Sequence, residues 1–407
     1  MMEVRRLHAE EKKFMARLHS VVFNFRRHFS DEEKEKGEKK TPNPLDNPPE
    51  WSWGVFENGK LLSGMTEIEY LMRFDGHSVQ MSGISGVGTF PEARKGGLVR
   101  SIFEKLIPEA YERGVVFSNL TPFSHSFYRK FGYEVACARI NLSIPTGEFS
   151  HLKPHGNFTQ FFPGDDTSVL QEIHKQYIAD VNHGICRDYW PDNRAWKVFT
   201  QDDPYATGIF TYYWRDENDV PKGYIKYQDV DDDEGHSMSV KELAFTDKSG
   251  LYGVLSIVSG LTAQFRRFKW LMPTFIDPTD LVKNLWEVEQ NITPRDMTRI
   301  VNVKKSLELM RRPDGEGSYV VEVKDEILSV NSGKFLVEYG PEESRVSLTE
   351  KNPDIICDIP VLSQLVTGYR TLENILRTRQ SGIEVAGNCD TLNKVFTLRP
   401  QHVTEYF

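Results

Sequence analysis

Cysteine is scarce in this 407-residue chain: four residues, Cys137, Cys186, Cys357 and Cys389, lie far apart with no Cys-x-x-Cys pair. That excludes a disulfide framework and a cysteine zinc site, and leaves reduced structural thiols. Long apolar runs are absent too, and the opening Met-Met-Glu-Val-Arg-Arg leads into a polar stretch without the apolar core of a signal peptide. The expectation is a cytoplasmic protein with no membrane partner. Positive charge is in deficit, with 50 Lys and Arg against 59 Asp and Glu and a net charge of −9. Nucleic acid is therefore not an expected partner, because phosphate binding needs concentrated basic residues. A cationic substrate suits this charge. The one dense acidic run, Asp231-Asp-Asp-Glu234, is read as a solvated hairpin tip in preference to a metal site, so no metal is expected.

What is present is the composition of a globular protein, 39% hydrophobic and 27% charged, over a length that exceeds one ordinary core. Two or three domains follow. Residues 4–27 show helical spacing through Leu7, Phe14, Leu18, Val21, Val22 and Phe25, and the proline-bearing stretch 29–50 reads as a loop or a loose helix ending in a loop. Asn58-Gly59 and Asp75-Gly76 punctuate three alternating strands, with the third at about 78–89. A helix is expected at about 95–112, a strand at 115–120, a short helix, and a last strand around 134–144. After Pro145 the order partly repeats: a helix near 166–181, strands near 207–213, 222–228 and 237–245, a helix at 250–264 and the strand Phe268-Lys-Trp-Leu-Met. The strand–turn–helix at 237–264 echoes the one at 80–112, as a degenerate internal repeat would. A third unit is expected from about 293, with short strands at 318–324, 334–339 and 344–348 and helices near 359–367 and 371–378. The boundaries are 1–145, 146–292 and 293–407, in an α+β protein.

The chemistry concentrates between residues 84 and 133. Ile84-Ser-Gly-Val-Gly-Thr-Phe-Pro-Glu-Ala-Arg-Lys-Gly-Gly-Leu-Val-Arg100 is a strand, a glycine-rich turn and a helix start. Unpaired N–H groups at a helix N-terminus suit an anionic pyrophosphate, and Lys95 and Arg100 add positive charge. The spacing is neither that of a P-loop nor Gly-x-Gly-x-x-Gly. The plain alternative is a glycine-rich turn that binds nothing.

Arg94-Lys-Gly-Gly97 after Val87-Gly-Thr89, together with Phe127-Tyr-Arg-Lys-Phe-Gly-Tyr133, resembles the GNAT superfamily of N-acetyltransferases, and within it the Eis (enhanced intracellular survival) type. The resemblance extends along the whole chain. It implies tandem GNAT-like domains, the second degenerate, followed by a sterol-carrier-protein-like domain. It implies acetyl-CoA as co-substrate, an amine acceptor of aminoglycoside-like polyamine or lysine type, and a homohexamer. Val87, Gly88 and Thr89 would hold the pantetheine arm, and Lys95, Gly96, Gly97, Leu98, Val99 and Arg100 the pyrophosphate. Phe123 and Ser124 match a further coenzyme-contacting pair, although their residue types depart from the family's usual ones, as does Val99.

Tyr128 matches the family's general acid, and a phenol is a reasonable proton donor to a departing thiolate. The alternative is an ordinary core aromatic of a Phe-rich helix; the motif register outweighs it for Tyr128, whereas for Tyr133 it is preferred. A general base is harder to find, because no carboxylate lies between Gly76 and Pro91. The resemblance implies the C-terminal α-carboxylate of Phe407 in that role. His125 is the rival, with a suitable ordinary pKa, and Glu92 is expected to face solvent. Phe25, His28, Phe29, Trp51 and Trp53 are nominated for the acceptor side, where core aromatics are the alternative. A different class of function, a non-catalytic lipid or small-ligand carrier using the C-terminal domain, stands as the rival to the enzyme.

Overall fold

A computed structural model describes residues 2–23, 50–153 and 156–405. The chain forms two compact units, one of residues 2–136, 295–399 and 405, the other of 137–294 and 400–404. The first begins with strand β1 (Met2–Arg6), helix α1 (Lys12–Val22) and the meander β2 (Glu50–Glu57), β3 (Lys60–Phe74) and β4 (His77–Thr89). Asn58 and Gly59 at the first turn have φ of 49° and 78°, the paired positive values of a type I′ hairpin. Helix α2 (Leu98–Glu112) crosses over to β5 (Phe117–Leu120), which pairs parallel to β4, and helix α3 (His125–Arg129) leads into β6 (Glu134–Pro145). Ile102, Phe103, Leu106, Ile107 and Ala110 recur at helical spacing on one face of α2. They close a core with Trp53, Met65, Ile84 and Leu120 of the sheet.

In the second unit the strand order is β6, β11 (Arg267–Pro273), β10 (Gly235–Phe245), β9 (Pro221–Asp232), β8 (Ile209–Arg215), β7 (Asn157–Phe161). Its helices are α4 (Ser168–Ile178), the short α5 (Arg194–Phe199) and α6 (Pro204–Thr207), and α7 (Lys248–Gly260). Strand β10, α7 and β11 repeat the parallel crossover of the first unit. The acidic tip is a hairpin turn as expected: Lys269 pairs with Asp232 at 3.0 Å and with Glu234, and Arg267 lies 3.4 Å from Glu234. Residues 400–404 are built into this unit. Asn182 bridges Gln401 in parallel, the Tyr177 hydroxyl meets His402 Nδ1 at 2.9 Å, and Arg139 donates to the Val403 carbonyl.

Strand β12 (Glu289–Ile300) places Met297–Ile300 antiparallel to β5, so the first unit's sheet runs β1-β2-β3-β4-β5-β12. After helix α8 (Val303–Leu309) a separate sheet follows: β13 (Gly317–Lys324), β14 (Gly333–Tyr339), β15 (Ser344–Leu348) and β16 (Ile355–Asp358). Helices α9 (Ile359–Val366) and α10 (Leu372–Thr378), strand β17 (Ile383–Val385) and helix α11 (Cys389–Val395) complete it, in the sheet order β15-β14-β13-β16-β17. Within the first unit, this C-terminal part packs on β12 and β6 through α9: Ser363 Oγ accepts from the Ile300 N–H at 3.0 Å, and Gln364 donates to the Val135 carbonyl at 2.7 Å.

Two expectations are corrected. Residues 4–6 belong to a strand paired with β2, not to the first helix. The helix starts only after His8 and Glu11 close a reciprocal capping box. The stretch 296–300 continues a strand beside β5 before the C-terminal sheet begins. Phe25, His28, Phe29 and Phe407 lie outside the described residues.

Candidate active site

Strands β4 and β5 pair only over Met81–Ile84 and Phe117–Leu120, whereas β4 continues to Thr89. Beyond Ile84 the pairing stops because β5 ends at Leu120, and β4 loses register with β3 between Gly64 and Thr66. At this bulge Gly86 has φ 58°, and a Cβ there would stand 2.6 Å from His19 Nε2. The His19 ring lies 3.0 Å from the Gly86 carbonyl oxygen, so α1 sits directly on the opened strand. The chain then passes a single 3-10 turn, Pro91–Ala93, and Lys95 at φ 69°. Gly97, at φ 72°, is the N-cap of α2.

No side chain caps α2, and its first turn carries no acidic residue. Its leading N–H groups are therefore left for an outside acceptor. They open into a cavity of about 750 Å³. Val87, Gly88 and Thr89, the whole run from Lys95 to Arg100, and Phe123 all line it. Of the coenzyme-binding residues expected from sequence, Ser124 alone is not in its wall; its hydroxyl lies 3.2 Å from Ser126 Oγ at the start of α3. The wall also includes residues given no binding role from sequence: Val22 and Phe23 at the end of α1, Ala93 and Arg94 before α2, and Phe127, Lys130 and Phe131 of the Phe127–Tyr133 motif. The cavity wall thus combines cations (Arg94, Lys95, Arg100, Lys130) with an aromatic side (Phe123, Phe127, Phe131), and Arg100 lies over the Phe131 ring at 5.5 Å. Phe123 is 69% exposed, an apolar surface that a ligand arm would cover. The shape fits an amphipathic ligand with an anionic head.

Tyr128 is buried beside this aromatic side, 5.4 Å from the Phe123 ring and 6.3 Å from Tyr133. Burial, and then the neighbouring Tyr133, raise its phenol above the ordinary tyrosine value, so it keeps its proton at neutral pH. The Tyr133 hydroxyl instead meets Ser118 Oγ at 2.7 Å, which donates to the Ser82 carbonyl at 2.9 Å. That is a structural link, as preferred from sequence.

A buried carboxylate missed from sequence is Glu67 on β3, which takes hydrogen bonds from Trp53 Nε1 and Ser82 Oγ, both at 3.0 Å, and from Arg113. Those donors occupy both oxygens, which suits a strut and not a base. Trp51 lies between the Arg6 and Arg113 guanidinium groups at 4.7 and 4.5 Å. Trp53, bonded to Glu67, is fully buried in the core, whereas Trp51 is partly buried against it. Glu92 is exposed and pairs with Lys60 at 3.1 Å. His125 Nε2 is buried without a hydrogen bond.

The repeated strand–turn–helix differs where it matters. Asp247 caps α7: one oxygen accepts from the Gly250 N–H at 2.9 Å and Ser249 Oγ at 2.6 Å, the other from Lys222 Nζ at 2.8 Å. An internal carboxylate holds the place that α2 leaves open. Among the described residues no cluster of His, Cys, Asp and Glu is placed to hold a metal, and no helix is long and apolar enough to cross a membrane.

Comparison with known proteins agrees with this geometry. Residues 3–136 match the family described as Acetyltransferase (GNAT) domain, residues 187–300 match a second family of the same description, and residues 303–403 match Sterol carrier protein domain. A protein of Streptomyces avermitilis described as an uncharacterized N-acetyltransferase is 22% identical over 349 residues, 79% of either chain. A probable N-acyltransferase from Enterococcus faecalis V583 superposes with a TM-score of 0.85 at 20% identity, covering all of both chains. Eis1 from Mycobacterium abscessus does so with a TM-score of 0.79 at 18% identity, again over all of both chains. GNAT domains use acetyl-CoA as the acyl donor. With two GNAT domains spanning more than half of its length and a sterol carrier protein domain after them, the chain belongs to the GNAT superfamily of N-acetyltransferases and shares the three-part fold of Eis1.

Proposed function

We propose that this chain moves the acetyl group of acetyl-CoA directly to a primary amine in the first GNAT domain. One observation carries the reading: the uncapped N-terminus of α2 opens into a cavity whose aromatic side packs on a buried, protonated phenol. The N–H groups from Lys95 to Arg100 hold the pyrophosphate, and Val87, Gly88 and Thr89 run along the pantetheine arm. Phe123 covers the arm, with Ser124 beside it. N–H groups near Val87 and Gly88 take the charge that develops on the thioester oxygen. As the amine nitrogen bonds to the acetyl carbon and the C–S bond breaks, Tyr128 gives its proton to the departing sulfur. The surplus amine proton goes to the Phe407 α-carboxylate. Two facts support a base from outside the strand: β4 carries no carboxylate between Gly76 and Pro91, and Glu67 is already used. The proposed acceptors are amines of aminoglycoside-like polyamines or of lysine, consistent with the net charge of −9. The proposed assembly is a homohexamer in the cytoplasm. Trp286, 97% exposed, and the neighbouring Leu285 and Ile292 are apolar side chains that a subunit interface would cover.

Two variants test the mechanism. Adding a few residues after Phe407 removes the carboxylate from its place, and Tyr128→Phe removes the donated proton. The proposal expects both to lower kcat by about 10²-fold or more in folded protein. Full rate in the extended protein would remove Phe407 as the base, and full rate in Tyr128→Phe would remove the phenol as the acid.

A further inference from the structure

Helix α3, which carries Tyr128, is five residues long, too short to hold its own geometry. The side chain of the N-cap residue Ser124 accepts from none of the helix N–H groups. Its position must be set by what grips it. The turn that follows it is gripped by Arg299 of β12, a guanidinium with no exposed surface. Its Nη1 donates to the Phe131 carbonyl at 2.6 Å, its Nη2 to Asp325 Oδ2 at 2.6 Å, and its Nε to the Ile300 carbonyl at 3.3 Å. Asp325 is itself fixed, accepting from the Ile327 and Leu328 N–H groups at 3.0 and 3.2 Å and from Asn331 Nδ2 at 2.9 Å. Asn331 Nδ2 also donates to the Val301 carbonyl at 3.0 Å, which closes the frame back onto the chain just after Arg299.

A second ion-pair cluster holds α3 by its last residue, Arg129. Glu134, nearly buried, accepts from Arg129 at 2.8 Å and from Arg379 at 3.1 Å. Asp325 and Arg379 both belong to the C-terminal, sterol-carrier-like part of the chain. The residue whose carbonyl Arg299 grips, Phe131, also lines the cavity and stacks on Phe103 of α2 at 4.6 Å. A fully buried ion pair seldom stabilises more than an apolar pair of the same volume. Its fork joining two elements is what an apolar pair cannot supply.

We propose that Arg299, fixed by Asp325, is a positioning residue for the acid: the C-terminal domain takes part in catalysis by holding the Tyr128 helix against the cavity. This rests on Tyr128 being the general acid, and the test separates the two claims. Four proteins are compared for kcat and for KM toward acetyl-CoA: the parent, Arg299→Lys, Tyr128→Phe and the double variant. Lysine keeps the charge beside Asp325 and loses the fork to Phe131. Arg299→Lys should lower kcat about tenfold and leave KM within about twofold. In the double variant it should add less than about twofold to the loss from Tyr128→Phe, because both act on one step. If Arg299→Lys keeps full kcat, raises KM alone, or adds its whole loss on top of Tyr128→Phe, the positioning role is overturned. If Tyr128→Phe alone is silent, the acid assignment fails instead, and the positioning role falls with it. Should Arg299→Lys not fold, Asp325→Asn enters the same cycle with the same expectations.

Discussion

Tyr128 illustrates how far single residues carry the account. Burial and the neighbouring Tyr133 hold its phenol above the ordinary value of about 10. A raised pKa favours the protonated form, so the donor is intact below that pH and is lost only above it. The kcat profile should therefore show no alkaline limb from this group below about pH 10. A limb that appears lower and vanishes in Tyr128→Phe would contradict the assignment. Gly97 gives a second prediction. A Cβ there meets nothing within 4 Å, yet φ is 72°, so Gly97→Ala strains the backbone by about 1–2 kcal/mol without a clash. Acetyl-CoA KM should rise several-fold with kcat nearly unchanged, as steady-state kinetics would show. The segment from Arg94 to Arg100 was legible in the sequence because its glycines and cations are contiguous. Val22, Phe23 and Phe131 were not, since an apolar residue on a helix looks the same whether it faces a core or a ligand. Glu67 was invisible for a related reason: in an alternating strand, sequence does not reveal that Trp53, Ser82 and Arg113 converge on one carboxylate.

At the level of elements, the two strand–turn–helix units show what separates a binding helix start from a merely folded one. Burial works against the Asp247 carboxylate, but hydrogen bonds from Lys222, Ser249 and the Gly250 N–H outweigh it and lower its pKa to about 2. Because this value lies below the ordinary aspartate value of 3.8, its contribution is present above about pH 4 and lost as pH falls toward 2. The group is partly solvated, which screens the electrostatic share. Asp247→Ala should cost about 1 kcal/mol in thermal unfolding, as the loss of an N-cap does. It should neither create coenzyme binding in the second domain nor alter kcat. Coenzyme binding gained at that helix would show that the cap, and not the missing cations, had closed the site. The hairpins, the crossover helices and most strands were readable from turn residues and periodicity. Strand β1 was not, because Val4 is the only apolar residue between Glu3 and Leu7, too little to show a period of two.

At the level of the whole molecule, the second unit carries a pH liability. Burial lowers the pKa of His174 and His402 to about 3 and of His183 to about 4. All three fold as neutral rings and bind protons more readily once unfolded. Their contribution is complete above about pH 6.5 and is lost as pH falls through that value toward 3–4. The melting temperature of this unit should therefore drop between pH 7 and 4, and calorimetry on His174→Gln should show a shallower dependence. An unchanged slope would mean that His174 is not neutral in the folded protein. His402 sits in the segment that anchors residues 400–404, five residues before Phe407. Sequence could not foretell this return of the chain to an earlier domain, because no local pattern encodes so distant a pairing. Nor could it show that Asp325 and Arg379, from the C-terminal part, bind the Arg299 and Glu134 side chains that hold α3 and the turn after it. The most direct test of the central claim is thiol release from acetyl-CoA with a panel of primary amines, polyamines and lysine peptides included. The account predicts amine-dependent release of coenzyme A matched by acetylated amine. Neither coenzyme binding nor release with any amine would contradict it and favour a carrier built on a relic of the acetyltransferase fold.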